Sequence, residues 1–196
     1  MRSMIKPGLV LFCIALAMAV GLGLLQDITK GPIAHREAEA KTEAMGRVLP
    51  TAEGGMFDDE IQLEGEKDNK DGVVAYSAYR VDGDVAGYVM TVRTTKGYGS
   101  VIELMVGVDS GGVLTGVCVL RHSETPGLGA KASSEDFLLQ FKGKAGVLEV
   151  IRSGEPKDNQ IDAITSATIT SRAVTAGVND ALKFFKDEGL QAGGGK

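Results

Sequence analysis

Two pairs of alternating segments, each closed by a turn containing Asp and Gly, constrain this chain most. Val73 to Arg80 and Val85 to Thr94 flank Asp82-Gly83-Asp84. Ser100 to Val108 and Val113 to Leu120 flank Asp109-Ser110-Gly111-Gly112. Within the second pair, Ile102, Leu104, Val106 and Val108 fall on one face, opposite Glu103, Met105 and Gly107. A period of two is the mark of a half-buried antiparallel strand, and Asp-Gly between such runs predicts a tight hairpin. Val147 to Ile151 reads as a fifth strand. Ser134 to Phe141 reads as a short helix, with Ser133 as its cap and Asp136 as a capping-box partner. Val174, Val178, Ala181, Leu182 and Phe185 share one face of a longer helix. The fold expected is α+β, a mainly antiparallel sheet with packed helices.

Ahead of this region, Pro7 to Gln26 carry no charge, and Gly8 to Leu25 are almost wholly apolar. That length reaches the lower range for a bilayer-spanning helix, so a single N-terminal transmembrane helix is expected. Arg2 and Lys6 at its start put that end in the cytoplasm and the rest of the chain outside it. The competing reading is a cleaved signal peptide, for which Ala15-Leu16-Ala17 and Ala17-Met18-Ala19 resemble cleavage sites, although the apolar run continues past both. On either reading the bulk of the chain is exported. Ile33 to Val48 is rich in Ala, Glu and Lys and reads as a polar helix, with Pro32 in its first turn, Pro50 beyond its end and Glu37–Lys41 as an i,i+4 pair. The organisation expected is an anchor over 1–30, a helical stalk and acidic linker over 31–70, a domain over 71–190 and a flexible Gly-rich tail over 191–196.

Charge and composition exclude several functions. The net charge is −5. Residues 1–30, with Arg2, Lys6 and Lys30 against Asp27, carry a net of +2, leaving −7 on the remainder. An acidic remainder with no basic stripe argues against a nucleic-acid partner. Cys13 and Cys118 fall in unrelated segments and predict no disulfide. Two Cys with His35 and His122 cannot supply an iron–sulfur cluster, c-type haem attachment or a Cys/His zinc site. His122 and Glu124 could form a general-base pair, although a His near a Glu on a loop is more often incidental. No nucleophile elbow, metalloprotease helix, dinucleotide-binding glycine motif or Walker loop is present.

Two loops stand out. Asp162-Ala163-Ile164-Thr165-Ser166-Ala167-Thr168-Ile169-Thr170-Ser171-Arg172 places five hydroxyls within seven residues and runs into the amphipathic helix. A hydroxyl N-cap explains one of them. Open N–H groups and the positive end of the helix dipole also suit a phosphate there. The second loop, Glu124-Thr125-Pro126-Gly127-Leu128-Gly129, sets Leu128 between two glycines. Before both, Gly97-Tyr98-Gly99 is a glycine-flanked aromatic loop.

Thr165-Ser166-Ala167-Thr168, with Asp162 ahead and Thr170 behind, resembles the attachment motif of the FMN-binding domains of the Rnf and Na+-pumping NADH:quinone reductase complexes. Ser166 stands where Gly is usual. The run Glu124 to Gly129 matches a family signature without departure, and Gly97-Tyr98-Gly99 and Met105 to Asp109 are similar too. The resemblance covers roughly residues 73–187 and the N-terminal anchor. It implies FMN joined to Thr168 as a phosphoester by a flavin transferase. Thr165, Ser166, Ala167 and Thr170 would support the phosphate, and Arg172 would offset its charge. Tyr98, Glu124, Thr125, Gly127 and Leu128 would be near the isoalloxazine. It also implies an electron-transfer component working with other members of a membrane complex rather than a stand-alone enzyme. The family member implied is the G subunit of Rnf; the C subunit of the Na+-pumping reductase, or a non-redox exported binding module, are the alternatives.

Overall fold

The computed structural model describes residues 2–49, 55–63, 71–152, 154 and 156–190, with backbone alone at 2–7, 25, 27–35 and 37. The tail 191–196 and parts of the linker therefore lie outside the described residues. The chain divides into two compact units, Met1–Thr42 and Glu43–Lys196.

The first unit is helical. Helix α1 runs from Arg2 to Val48 without the start expected near Pro32. Leu9, Val10, Leu11, Phe12, Ile14, Leu16, Met18, Val20, Leu22 and Leu24 are all exposed along it. Among the described residues no helix is long and apolar enough to cross a membrane.

The second unit is built on an antiparallel sheet. Its strands are β1 (Met56–Phe57), β2 (Ile61–Gln62), β3 (Gly72–Val81), β4 (Asp84–Thr94), β5 (Ile102–Asp109) and β6 (Leu114–Arg121). The order is β1-β3-β4-β5-β6, with β2 also on β3. The two long hairpins are those the alternation predicts. In the first, Val81 faces Asp84 across Asp82 (φ 52°) and Gly83 (φ 92°). Two successive positive φ values make a turn whose twist matches that of the strands. In the second, the Asp109 carboxylate accepts from the backbone N–H groups of Gly111 and Val113, both at 2.9 Å. The short strands β1 and β2 lie in the acidic linker, where the sequence pattern predicts none.

After the sheet come a 3-10 turn (Gly129–Ser133), helix α2 (Glu135–Leu138), a second 3-10 turn (Leu139–Phe141), and a parallel pair, β7 (Glu149–Ile151) with β8 (Gln160–Asp162). The cap of α2 is Ser134, not the expected Ser133, and its side chain makes no capping bond. Helix α3 (Thr168–Asp187) follows.

Helix α3 covers one face of the sheet. Val174, Val178, Ala181, Leu182 and Phe185 are buried with Met90, Val92, Leu104, Val106 and Val108, and each large apolar side chain contributes roughly 1.5–3 kcal/mol by leaving water. Gly177 lets the helix come close: a methyl there would meet Leu104 Cδ1 at 2.8 Å.

The other face is covered in part as well, although Arg93 on it stays exposed and Cys118 half-buried. Ala44, Val48 and Leu49, at the end of α1, pack with Tyr79, Val89 and Met105. The reason lies in Gly107 and Gly116, which face each other on β5 and β6. A methyl on Gly107 would stand 2.2 Å from the Val48 carbonyl oxygen, and one on Gly116 would stand 2.9 Å from Val48 Cα. Two glycines therefore make a seat for the helix end, and the Thr115 hydroxyl donates to the Val48 carbonyl.

Candidate functional site

The parallel β7–β8 pair delivers the hydroxyl-rich segment to the start of α3. Ile151 pairs with Asp162, and the Ala163 N–H donates to the Ile151 carbonyl at 2.8 Å. The Gln140 side chain holds the same strand end. Its Oε1 accepts from the Asp162 N–H at 2.7 Å, and its Nε2 donates to the Asp162 carbonyl at 3.3 Å. The chain then turns through Ser166, whose φ is 65°. A left-handed backbone is natural for Gly and costs Ser roughly 1–2 kcal/mol, which explains why Gly suits this position.

No hydroxyl caps the helix. The N-cap is Ala167, without a side-chain capping bond. Two hydroxyls of the first helical turn have other partners. Ser171 Oγ donates to the Ala167 carbonyl and accepts from the Ile164 N–H, both at 3.0 Å, which braces the turn from within. Thr170 Oγ1 donates to Glu124 Oε2 at 2.6 Å. The first intrahelical-type bond is that from the Ser171 N–H to the Ala167 carbonyl, at 3.0 Å. The N–H groups of Thr168, Ile169 and Thr170 thus keep the character of a helix start, where an anion is favoured.

An open cleft of about 600 Å³ lies against this helix start. It is lined by Tyr98, Glu124, Thr125, Leu128, Gly129, Arg152, Ser166, Ala167, Thr168, Ile169 and Thr170. Small-molecule sites commonly span about 300–1,000 Å³. Three sequence segments far apart in the chain meet here: the Gly97–Gly99 loop, the Glu124–Gly129 loop and the helix start. Tyr98, Leu128 and Ile169, exposed at 74%, 45% and 55%, give the cleft its large apolar surfaces. Thr168 is half-buried and Ser166 exposed.

Of the expected residues, Tyr98, Glu124, Thr125, Leu128, Ser166, Ala167, Thr168 and Thr170 line the cleft, and Thr165 and Gly127 do not. Gly127, at φ 80°, makes the turn in which the Thr125 carbonyl accepts from the Leu128 and Ala130 N–H groups. Two roles differ from expectation. Thr170 is buried and bonded to Glu124, so its hydroxyl is not free for a phosphate. Arg172 is exposed and does not line the cleft, whereas Arg152 does. Sequence reasoning missed Arg152, because only the β7–β8 pairing brings it beside the motif.

Glu124 is 5% exposed. Its Oε1 accepts from the Gly99 N–H at 2.8 Å, and its own N–H donates to His122 Nδ1 at 3.2 Å. His122 and Glu124 thus meet through backbone and ring, not as a carboxylate–imidazole base pair.

Comparison with known proteins agrees with this geometry. Residues 97–183 match the model of the FMN-binding domain. The chain is 34% identical over 194 residues to the G subunit of the Na(+)-translocating ferredoxin:NAD(+) oxidoreductase complex of Acetobacterium woodii, covering 95% of this chain and 93% of that one. It is 38% identical over 157 residues to the proton-translocating counterpart of Clostridium ljungdahlii, covering 80% of this chain and 77% of that one. The structure of Shewanella oneidensis NqrC is similar with a TM-score of 0.51 and 25% identity over 57% of each chain. The C subunit of the Na(+)-translocating NADH-quinone reductase from Parabacteroides distasonis gives 0.50 at 22% identity over 75% of this chain and 82% of that one, a likeness of fold. A cleft built from the three motif segments, and relatives matched over nearly the whole length, lead to one conclusion: the chain belongs to the FMN-binding-domain family of G subunits of ion-translocating ferredoxin:NAD+ oxidoreductase (Rnf) complexes.

Proposed function

We propose that the chain carries FMN joined through a phosphoester to Thr168 and relays electrons within an ion-translocating ferredoxin:NAD+ oxidoreductase complex. The observation that carries this reading is the position of Thr168. It is the first residue of α3, half-buried, and lines the cleft where the Tyr98, Glu124 and Ser166 segments meet.

The residues fit such a group. The N–H groups of Thr168 to Thr170 and the helix dipole favour the phosphodiester charge, and Arg152 is the cation lining the cleft. Ser166 offers an exposed hydroxyl at the turn. Tyr98, Leu128 and Ile169 offer the apolar surface for the ring. When bound, the isoalloxazine supplies the electron-transfer chemistry; the protein supplies orientation and electrostatics. Attachment is a phosphoryl transfer: the Thr168 oxygen forms a bond to the FMN phosphorus, the bond from that phosphorus to the leaving group of the flavin donor breaks, and the Thr168 proton departs with the leaving group, so the chain gains one FMN less water. A flavin transferase is the expected catalyst, with Asp162, Thr165 and Ser166 exposed to it.

The apolar stretch of α1 is the proposed membrane anchor, with the N-terminus cytoplasmic and the FMN domain on the other side. Its support is the row of exposed apolar side chains from Leu9 to Leu24, which is costly in water, and Arg2 and Lys6 before it. Ion translocation, named for the relatives, also requires a membrane. Covalent attachment suits an exported domain, because a dissociated flavin would be lost there. The G subunit is favoured over the related C subunit by the match to a G subunit over 95% of the chain.

In protein made with a flavin transferase, the denatured, gel-resolved chain should fluoresce under ultraviolet light. Thr168→Ala should abolish the band without loss of folded protein. A band that persists in Thr168→Ala would overturn the assignment.

A further inference from the structure

Glu124 is a carboxylate buried at the cleft without an ion pair among the described residues. Both of its oxygens accept from neutral protein donors: Oε1 from the Gly99 N–H at 2.8 Å, and Oε2 from the Thr170 hydroxyl at 2.6 Å. These two donors belong to segments far apart in the chain. Gly99 adjoins Tyr98 on the β4–β5 connection, and Thr170 lies in the first turn of α3, two residues from Thr168. The surroundings are cut to fit the group. A methyl on Gly129 would lie 2.4 Å from Glu124 Oε2 and 2.7 Å from Thr170 Oγ1, and one on Gly97 would lie 2.7 Å from Glu124 Oε1. Glycines on both sides are what allow a carboxylate to sit between the loop and the helix.

Each carboxylate oxygen is already engaged by a protein donor, and at 5% exposure little of the group is open to a ligand. Its charge remains, however, and a buried charge is weakly screened. We propose that Glu124 is a positioning residue rather than a flavin ligand. It holds the Tyr98 loop and the Thr168 turn at a fixed separation, and its negative charge lowers the reduction potential of a flavin held between them. The second part rests on the FMN reading above; the first stands without it. An anion near the ring disfavours the added electron, so removing the charge while keeping the bonds raises the potential.

Glu124→Gln separates the charge from the bonds. Its Oε1 can accept from Gly99, and its Nε2 can donate to the Thr170 oxygen once that hydroxyl turns away. Glu124→Ala removes both bonds, and Thr170→Val removes one donor while leaving the charge. Full-length proteins made with a flavin transferase would be compared by intact mass, spectroelectrochemical titration and amide exchange. The midpoint potential should move positive in Glu124→Gln and negative in Thr170→Val, with the adduct mass retained in both. Exchange of the Gly99 N–H should accelerate roughly tenfold in Glu124→Ala and hold near the wild-type rate in Glu124→Gln. If Glu124→Ala does not fold, the Gly99 exchange in Thr170→Val, where the carboxylate is freed on one side, takes its place and should also accelerate. An unchanged potential in Glu124→Gln overturns the electrostatic role, and unchanged Gly99 exchange in the truncated variant overturns the positioning role. A wild-type protein without the adduct mass would instead sink the Thr168 reading, and the Gly99 exchange would still decide whether Glu124 holds the two segments.

Discussion

Replacing Thr170 by Val tests the energetic weight of the bond at the base of the cleft. Thr170 and Glu124 are 2% and 5% exposed, and their oxygens are 2.6 Å apart. That is the spacing of a charge-assisted O–H···O bond. Val has nearly the same shape and size, so no cavity forms, and the residue stays β-branched in the first turn of the helix. What remains is a carboxylate oxygen buried without its donor. Hydrogen bonds to charged groups contribute about 1.5–3 kcal/mol, and a domain of this size loses about 2–4 °C of Tm per kcal/mol. Thr170→Val should therefore lower Tm by roughly 3–12 °C. Urea denaturation followed by circular dichroism should show a lower midpoint with an unchanged slope. Thr175→Val is the internal comparison. Thr175 is equally buried, but its hydroxyl donates at 2.9 Å to the Ser171 carbonyl within the helix, an acceptor that does not depend on it. If Thr170→Val loses no more stability than Thr175→Val, the account of Glu124 as a buried charge held by that hydroxyl is wrong.

Two further perturbations probe other parts of the fold. Gly107→Ala drives a methyl to within 2.2 Å of the Val48 carbonyl oxygen, so it should cost about 1–3 kcal/mol and open the end of α1, read as faster amide exchange and proteolysis around Val48 and Leu49. Asp180 on α3 has its carboxyl pushed up from the usual range, first by burial, with Asp71 adding to it and Lys96 and Lys183 opposing. A raised folded-state value means that the folded chain holds the proton more tightly than the unfolded one, so the ionised group costs stability above that range and the cost fades as pH falls. Asp180→Asn should thus raise the urea midpoint at neutral pH, with the gain shrinking towards the ordinary carboxylate range near about pH 4; a gain that grows on acidification would contradict the sign.

What could be read from the chain alone depended on how local its cause was. The hairpins were legible because alternation and Asp82-Gly83 act over a few residues. The apolar face of α3 was legible for the same reason. Covering of the second sheet face was not, because it depends on Gly107 and Gly116 meeting Val48, a contact across about 60 residues that no period announces. At the site, Thr168 and its two companion loops were named from their motifs. A hydroxyl N-cap is absent because the helix starts at Thr168 and the capping position falls on Ala167; inside the first turn, Thr170 bonds Glu124 and Ser171 braces the preceding turn. Arg152 carries no local signal at all, and its place follows only from the pairing of β7 with β8.

Peptide fragmentation can locate the flavin bond to a single residue. Trypsin should release residues 158–172, Asp-Asn-Gln-Ile-Asp-Ala-Ile-Thr-Ser-Ala-Thr-Ile-Thr-Ser-Arg, as one peptide. In protein purified from its native host, fragmentation of this peptide should place one FMN less water on Thr168. An unmodified peptide, or an adduct on Thr165, Ser166, Thr170 or Ser171, would contradict the account.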